Sequence, residues 1–155
     1  MKGTTMLRLK KNRDNERGAT LVEFSIGVTV FALAMFAVLE FSRLLWVHNA
    51  LTDAARRGAR YAVMHSVNDT ASVKNVVVYG NAAGTGNPML ENLSTDDVDV
   101  DYSNFGLNDG TVTVSIDDYQ YQFVFPLLPD SVTMPDYSTT LTGESAGFIP
   151  ATVAG

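Results

Sequence analysis

The 155-residue chain contains no cysteine, which excludes disulfides, thiolate metal sites and a cysteine nucleophile. This absence does not decide the compartment, because an exported domain can be stable without disulfides. Histidine is scarce as well: His48 and His65 are the two present, and neither has an acidic or histidine neighbour at ligand spacing. We interpret both histidines as structural or exposed side chains.

Proline is absent from Arg17 to Met64, so this stretch can form an uninterrupted helix. From Leu21 to Leu39 the residues are apolar or small apart from two hydroxyl side chains and one charge, Glu23. As a helix, that run would be about 28 Å long, close to the hydrocarbon thickness of a bilayer. The sequence therefore predicts a membrane span from about residue 21 to residue 39, or as far as residue 47.

Basic side chains are nearly absent from the C-terminal part. Residues 61–155 carry Lys74 against twelve acids, whereas residues 1–18 carry six basic and two acidic side chains. This polarity fits a membrane protein whose short basic end stays cytoplasmic and whose acidic end is exported. It argues against nucleic acid as a partner, and the basic head is suited to anionic membrane lipid.

The far end of the span has two interpretations. If it stops at Leu39, Glu40 and Arg43 lie among the headgroups, pair on one helix face and snorkel. If it reaches Val47, Trp46 is the interfacial anchor. The N-terminal region as a whole could instead be a secretory signal peptide, since Ala32-Leu33-Ala34 offers a cleavage site. Against this, the apolar run continues well beyond that site.

From Phe41 to Met64 the pattern becomes amphipathic, with apolar or small residues recurring every three or four positions. We expect one continuous helix of about 45 residues whose second half forms a stalk. Its small apolar face needs a cover, either the C-terminal domain or other helices. Asp53 and Arg57 have the spacing of an ion pair, and Arg56, Arg57 and Arg60 form either a solvated face or a docking surface for another subunit.

Residues 65–79 are open between helix and strand, since the Val76–Tyr79 run favours a strand by propensity. The remainder alternates with period two and predicts β structure. Four strands are expected: Val98–Tyr102, Thr111–Ile116, Tyr119–Phe125 and Tyr137–Leu141. Asn108-Asp109-Gly110 would connect the first two, and Asp117-Asp118 would make the third a hairpin partner of the second.

The predicted fold is α+β, a long N-terminal membrane helix whose distal half is covered by a small antiparallel sheet. We divide the chain into a basic cytoplasmic leader at 1–18, the helix at 19–64 and an exported acidic domain at 65–155. The leader is expected to be disordered.

No catalytic constellation is evident, so we predict that the chain is not an enzyme and needs no cofactor. An aspartate cluster suggests calcium, but the loop lacks the glycine and terminal glutamate of an EF-hand. A solvated strand face is the favoured interpretation, and no metal site is assigned. The cluster comprises Asp96, Asp97, Asp99 and Asp101.

Glu23 needs an explanation, because a carboxylate inside a membrane span is costly. It either lies shallow enough to snorkel, favoured by the helix dipole, or pairs with a cation inside the bilayer. For contacts with a neighbouring helix, the candidate positions are Phe24, Ala32 and Ala37. Alanine is also simply common in membrane helices.

Gly18-Ala19-Thr20-Leu21-Val22-Glu23-Phe24 resembles the processing motif of type IV pilin-like proteins. The wider stretch from Arg17 to Val63 resembles the TadE-like family, the minor pilins or pseudopilins of tight-adherence (Flp) pili. A weaker similarity links Phe123–Pro129 to the sheet-end segment of such proteins.

This resemblance implies that a prepilin peptidase cuts after Gly18 and that the new amine on Ala19 pairs with Glu23 of a neighbouring subunit. The implied partners are that peptidase, other pilin or pseudopilin subunits and the Tad inner-membrane assembly platform. The implied location is the bacterial inner membrane, with the N-terminus cytoplasmic and the C-terminal domain periplasmic or extracellular, and possible incorporation into the pilus. The chain would prime, anchor or cap pilus assembly. The alternative is an unprocessed single-pass anchor acting as an envelope scaffold or secretion accessory.

Overall fold

A computed structural model describes residues 13–104, 110–125 and 128–143. These residues fall into two compact units that divide between Leu39 and Glu40. The helix α1, Arg13–Met64, runs without a break through 52 residues and contributes to both units. It begins inside the predicted leader, so the expectation of disorder up to residue 17 is wrong for residues 13–17.

The first unit contains the N-terminal part of α1. Almost every side chain from Gly18 to Leu39 is exposed, with Ala32 half-buried. Within the described residues, α1 from Gly18 onward is the one helix long and apolar enough to cross a membrane, by length and composition, and none of its most apolar window is buried. The hydroxyls of Ser25 and Thr29 donate to the carbonyls of Leu21 and Ser25, both at 2.8 Å, so neither polar group needs an outside partner.

The second unit packs helix α2 and two small sheets against the C-terminal part of α1. A 3₁₀ turn, Val67–Asp69, leads into α2, Thr70–Tyr79. A second 3₁₀ turn, Thr95–Asp97, precedes the strands. These are β1 Val98–Ser103, β2 Thr111–Ile116, β3 Gln120–Gln122, β4 Ser131–Thr133 and β5 Tyr137–Thr142.

Residues 70–79 form a helix, whereas the sequence left helix and strand open for residues 65–79. Val73, Val77 and Val78 share one face and are fully buried, so packing overrides the β preference of the valines. Gly80 ends the helix with φ at 74°, and its N–H donates to the Val76 carbonyl at 3.0 Å.

The main sheet has the antiparallel order β1-β2-β5. Val98 faces Ile116 across the first pair, and Ile116 faces Tyr137 across the second. Val112, Val114 and Ile116 of the central strand are fully buried, as the alternating pattern predicted. The predicted first, second and fourth strands are confirmed, whereas the turn predicted at Asn108-Asp109-Gly110 lies largely outside the described residues.

The predicted hairpin through Asp117-Asp118 is wrong. Both edges of β2 are already paired, and Asp118 turns the chain away with φ at 56°. The third strand is only three residues long and pairs instead with β4. In this stretch the sequence predicts an extended loop or a sheet edge, because of Pro126, Pro129 and Pro135. Tyr121 faces Val132 in this separate two-stranded sheet.

The core lies between the helix face and the main sheet. The buried face of α1 begins with Val47 and Leu51 and continues with small residues, which allow the other elements to approach closely. The small residues are Ala54, Ala55, Gly58, Ala59 and Ala62. A Cβ built at Gly58 would clash with Val77 Cγ2 of α2 and lie 3.2 Å from Val114 Cγ1 of β2. The chain's own C-terminal domain therefore covers the amphipathic part of α1, and the predicted α+β fold is confirmed.

Gly58→Ala should lower the free energy of unfolding of the second unit by about 1–3 kcal/mol, because the added methyl overpacks a contact between three elements. Helix propensity acts the other way by roughly 1 kcal/mol and reduces the net loss. Gly27→Ala is the matched control, since a Cβ there meets nothing within 4 Å. Urea unfolding of the full chain in mild detergent measures both, and equal stability of the two variants would contradict the close approach.

Candidate functional site

The predicted processing junction lies within α1. Gly18 and Ala19 are both helical and exposed, and a Cβ at Gly18 would meet nothing within 4 Å. Packing within the described chain therefore gives no reason for a glycine here. Glycine does weaken a helix locally, which favours the local opening that a protease needs.

The side chains predicted to contact neighbouring subunits are available on the same helix. Glu23 and Ala37 are exposed, Phe24 is exposed, and Ala32 is half-buried. The structure thus leaves the predicted pairing and packing positions open to another molecule. Their roles stay predictions.

Glu40, the first residue of the second unit, is the best-defined polar centre. Its side chain lies inside the protein, with 9% of the residue exposed. Glu40 Oε1 accepts hydrogen bonds from the Tyr121 hydroxyl at 2.8 Å, from Arg43 Nη1 at 3.2 Å and from the Val124 backbone N–H at 3.4 Å. Three donors on one carboxylate oxygen satisfy a charge that burial would otherwise make costly.

Arg43 completes this cluster. Its Nη1 contacts the Tyr121 hydroxyl at 3.4 Å and donates to the Gln122 carbonyl at 3.1 Å, while its guanidinium carbon lies 5.1 Å from the centre of the Tyr121 ring. The predicted Glu40–Arg43 pair is confirmed. The prediction that Glu40 snorkels among headgroups is wrong, because the segment after β3 covers its carboxylate.

Tyr121 is the member of the cluster that the sequence pattern did not reveal as a partner. Burial, followed by the hydrogen bond to Glu40, raises the pKa of Tyr121 to about 12, although the Arg43 charge acts in the opposite direction. The alternation Tyr-Gln-Tyr-Gln placed Tyr121 on a buried face, and a buried tyrosine usually needs a hydrogen-bond partner. That was the available signal, but it does not say which residue supplies the partner.

The three arginines of the predicted docking surface have different surroundings. Arg56 and Arg60 are exposed, and Arg56 pairs with Asp53 at 3.7 Å. The predicted Asp53–Arg57 pair is therefore not the one formed. Arg57 instead reaches Met89, with Nη2 3.2 Å from the thioether sulfur, beside a groove of about 310 Å³.

The two histidines and Asp97 of the aspartate cluster have structural partners. His48 Nδ1 shares a 2.8 Å hydrogen bond with the Tyr137 hydroxyl, and His65 stacks on Tyr61. Asp97 caps the turn before β1 by accepting from the Ser94 N–H at 2.8 Å, and Asp99 is exposed on β1. In the ranges described, no group of three or more histidine and acidic residues could hold a metal ion.

These features define a class of protein: an exposed apolar helix, suited by length and composition to a membrane, that leads into a small α+β domain built on its own C-terminal part. A family model described as TadE-like protein matches residues 18–60. The match covers both the exposed helix and the first part of the domain, and it confirms the resemblance drawn from the sequence. It indicates a minor-pilin-like, pilus-associated role, and this family of pilus components is not a known enzyme family.

No curated protein and no solved structure matches the chain.

Tyr121→Phe should lower the free energy of unfolding by about 1.5–3 kcal/mol, because it removes a hydrogen bond to a buried, charged acceptor. Tyr119→Phe is the comparison: the Tyr119 hydroxyl donates to the neutral Glu91 carbonyl at 2.7 Å, so about 0.5–1.5 kcal/mol is expected. Urea titration of the full chain measures both.

The pH dependence checks the same contact. The pKa of Tyr121 is raised on folding, so its contribution is fully present below about pH 10 and is lost as the pH rises through about 12. The stability difference between wild type and Tyr121→Phe should therefore shrink over this interval. A difference that stays constant would mean that the hydroxyl does not act through the protonated form.

Proposed function

We propose that this chain is a minor pilin or pseudopilin, cut by a prepilin peptidase after Gly18, that takes part in assembling, anchoring or capping a Tad/Flp type IV pilus. The observation that carries the proposal is that the TadE-like match begins at Gly18, where the basic leader meets the apolar helix. An adhesive or secretory pilus is the assembly that such a subunit would serve.

Glu23 is the proposed contact between subunits. After cleavage, the free amine of Ala19 is the cation that pairs with Glu23 of a neighbouring chain. The pair offsets much of the cost of placing each charge in lipid, but only when the neighbour is present. The exposure of Glu23 and Phe24 on the helix supports this role.

The proposed setting is the bacterial inner membrane, with residues 1–18 in the cytoplasm and the acidic domain on the far side. The excess of basic side chains in residues 1–18 supports this orientation. The partners are the peptidase, other pilin subunits, the inner-membrane assembly platform and membrane lipid. Arg56 and Arg60, both exposed, with Arg57 beside them, form the surface proposed for docking a second subunit.

A second candidate is an unprocessed single-pass anchor that acts as an envelope scaffold or secretion accessory. It is favoured by the continuity of α1 through Gly18 and Ala19, because the uncut chain already has a complete helix for anchoring. Cleavage and the charge on Glu23 separate the two candidates, since only the pilin-like role needs them.

Gly18→Ala should reduce processing by the cognate prepilin peptidase by about tenfold or more, because the change both strengthens the helix at the junction and adds a methyl next to the cut. Gly27→Ala lies in the same helix in equally open surroundings and should be processed normally. The measurement is the intact mass and N-terminal sequence of protein purified from native membranes. A wild-type chain that keeps Met1 in cells with an active peptidase would favour the static anchor.

Glu23→Gln should leave cleavage intact but reduce incorporation into sheared pili by about tenfold or more, since it removes the partner of the Ala19 amine. Asp99→Asn is the control, because it neutralises an exposed acid on β1, away from the proposed contacts. Immunoblots of the pilus and membrane fractions measure both variants. Normal incorporation of Glu23→Gln would eliminate the pairing role.

A further inference from the structure

The second unit has exposed apolar side chains both on α1 just after its first residue and on the segment that follows β3. On the first turns of α1 after Glu40, Phe41 is 62% exposed and Trp46 is 60% exposed. On the segment that follows β3, Val124 is 72% exposed and Leu128 is also exposed. Such side chains rarely stay in water in large groups, so they point to an interaction surface.

The segment after β3 is fastened to the helix at its boundary with the apolar run. The Val124 N–H donates to Glu40 Oε1, and the Gln122 carbonyl accepts from Arg43. Phe123 packs edge-on against Tyr121, with 5.1 Å between ring centres, and keeps this segment in place. The backbone nitrogen of Val124 is therefore held 3.4 Å from Oε1 of Glu40, the first residue after the apolar run.

Length places this boundary at the edge of a bilayer. A hydrocarbon core about 30 Å thick takes about 20 helical residues, so a span that starts at Leu21 ends near Glu40. Trp46 follows Glu40 on α1 by six residues, and tryptophan is enriched at the interface between hydrocarbon and headgroups. Buried within the protein, Glu40 does not hinder such an approach.

We propose that Val124 lies in the interfacial layer of the membrane, which gives the domain a second contact with lipid besides the helix. This inference rests on the proposed membrane anchoring. The binding chemistry is apolar, because Lys74 is the only basic residue after Arg60. Contact should therefore depend little on anionic lipid or on salt.

The absence of cysteine permits a direct test with three matched variants, Val30→Cys, Val67→Cys and Val124→Cys. All three valines are exposed: Val30 lies within the apolar run, and Val67 lies beyond the end of α1. Each full-length variant is labelled with an environment-sensitive thiol fluorophore and placed, one copy per disc, in phosphatidylcholine nanodiscs. Quenching is measured with spin-labelled lipid and with iodide in the aqueous phase.

The label at position 124 should be quenched by headgroup-level spin-labelled lipid and should be shielded from iodide about twofold or more relative to position 67. Added anionic lipid should leave both values unchanged. The label at position 30 should respond only to acyl-chain quencher, and the label at position 67 only to iodide.

Each other outcome has a definite meaning. If position 124 behaves like position 67 while position 30 is quenched by lipid, the second contact is wrong and the membrane span stands. If position 30 is open to iodide, the span fails, and the second contact fails with it. If position 124 is shielded only when several copies share a disc, its partner is another subunit and the lipid contact is wrong.

Discussion

The second unit depends on the burial of one carboxylate at its first residue. A buried Glu40 is tolerable only with hydrogen-bond donors around it, and they come from parts of the chain far apart in sequence: Arg43 one turn along the helix, and Tyr121 and Val124 some eighty residues later. The need to satisfy this charge fixes the segment after β3 against the helix. It also explains how a charged residue can directly follow an apolar run without exposing its charge.

The second constraint is the short distance between the backbone of α1 and the elements that cover it. From Ala54 to Ala62 the buried positions of α1 are alanines and one glycine, so α2 and β2 meet the helix backbone where Gly58 faces Val77 and Val114. Small residues contribute little burial of their own, and the larger side chains of the covering elements supply it. The same helix therefore has two surfaces with different requirements: large apolar side chains left exposed before Glu40, and a narrow small-residue face covered by the domain after it.

The family match falls on the helix and not on the strands. The match ends at residue 60, within the part of α1 that carries the domain, and it leaves the strands outside. The segment shared with the family thus includes the exposed apolar helix, which is long and apolar enough to cross a membrane, together with the face on which the domain is built. The hydrogen bond from the Tyr121 hydroxyl to Glu40 joins strand β3, which lies outside the match, to the helix segment that the match covers.

The sequence by itself determined the long helix, the α+β class and three strands, because these follow from local period and length. It could not choose between helix and strand at residues 65–79, because burial of Val73, Val77 and Val78 in the core outweighs their β propensity. The sequence pattern assigned β3 to β2 as its partner, whereas β3 pairs with β4, because strand pairing depends on which edges other strands already occupy. Only the tertiary structure decided that Glu40 is buried and that Tyr121 holds it, since a carboxylate has no sequence signal for a hydrogen bond to a residue 81 positions away.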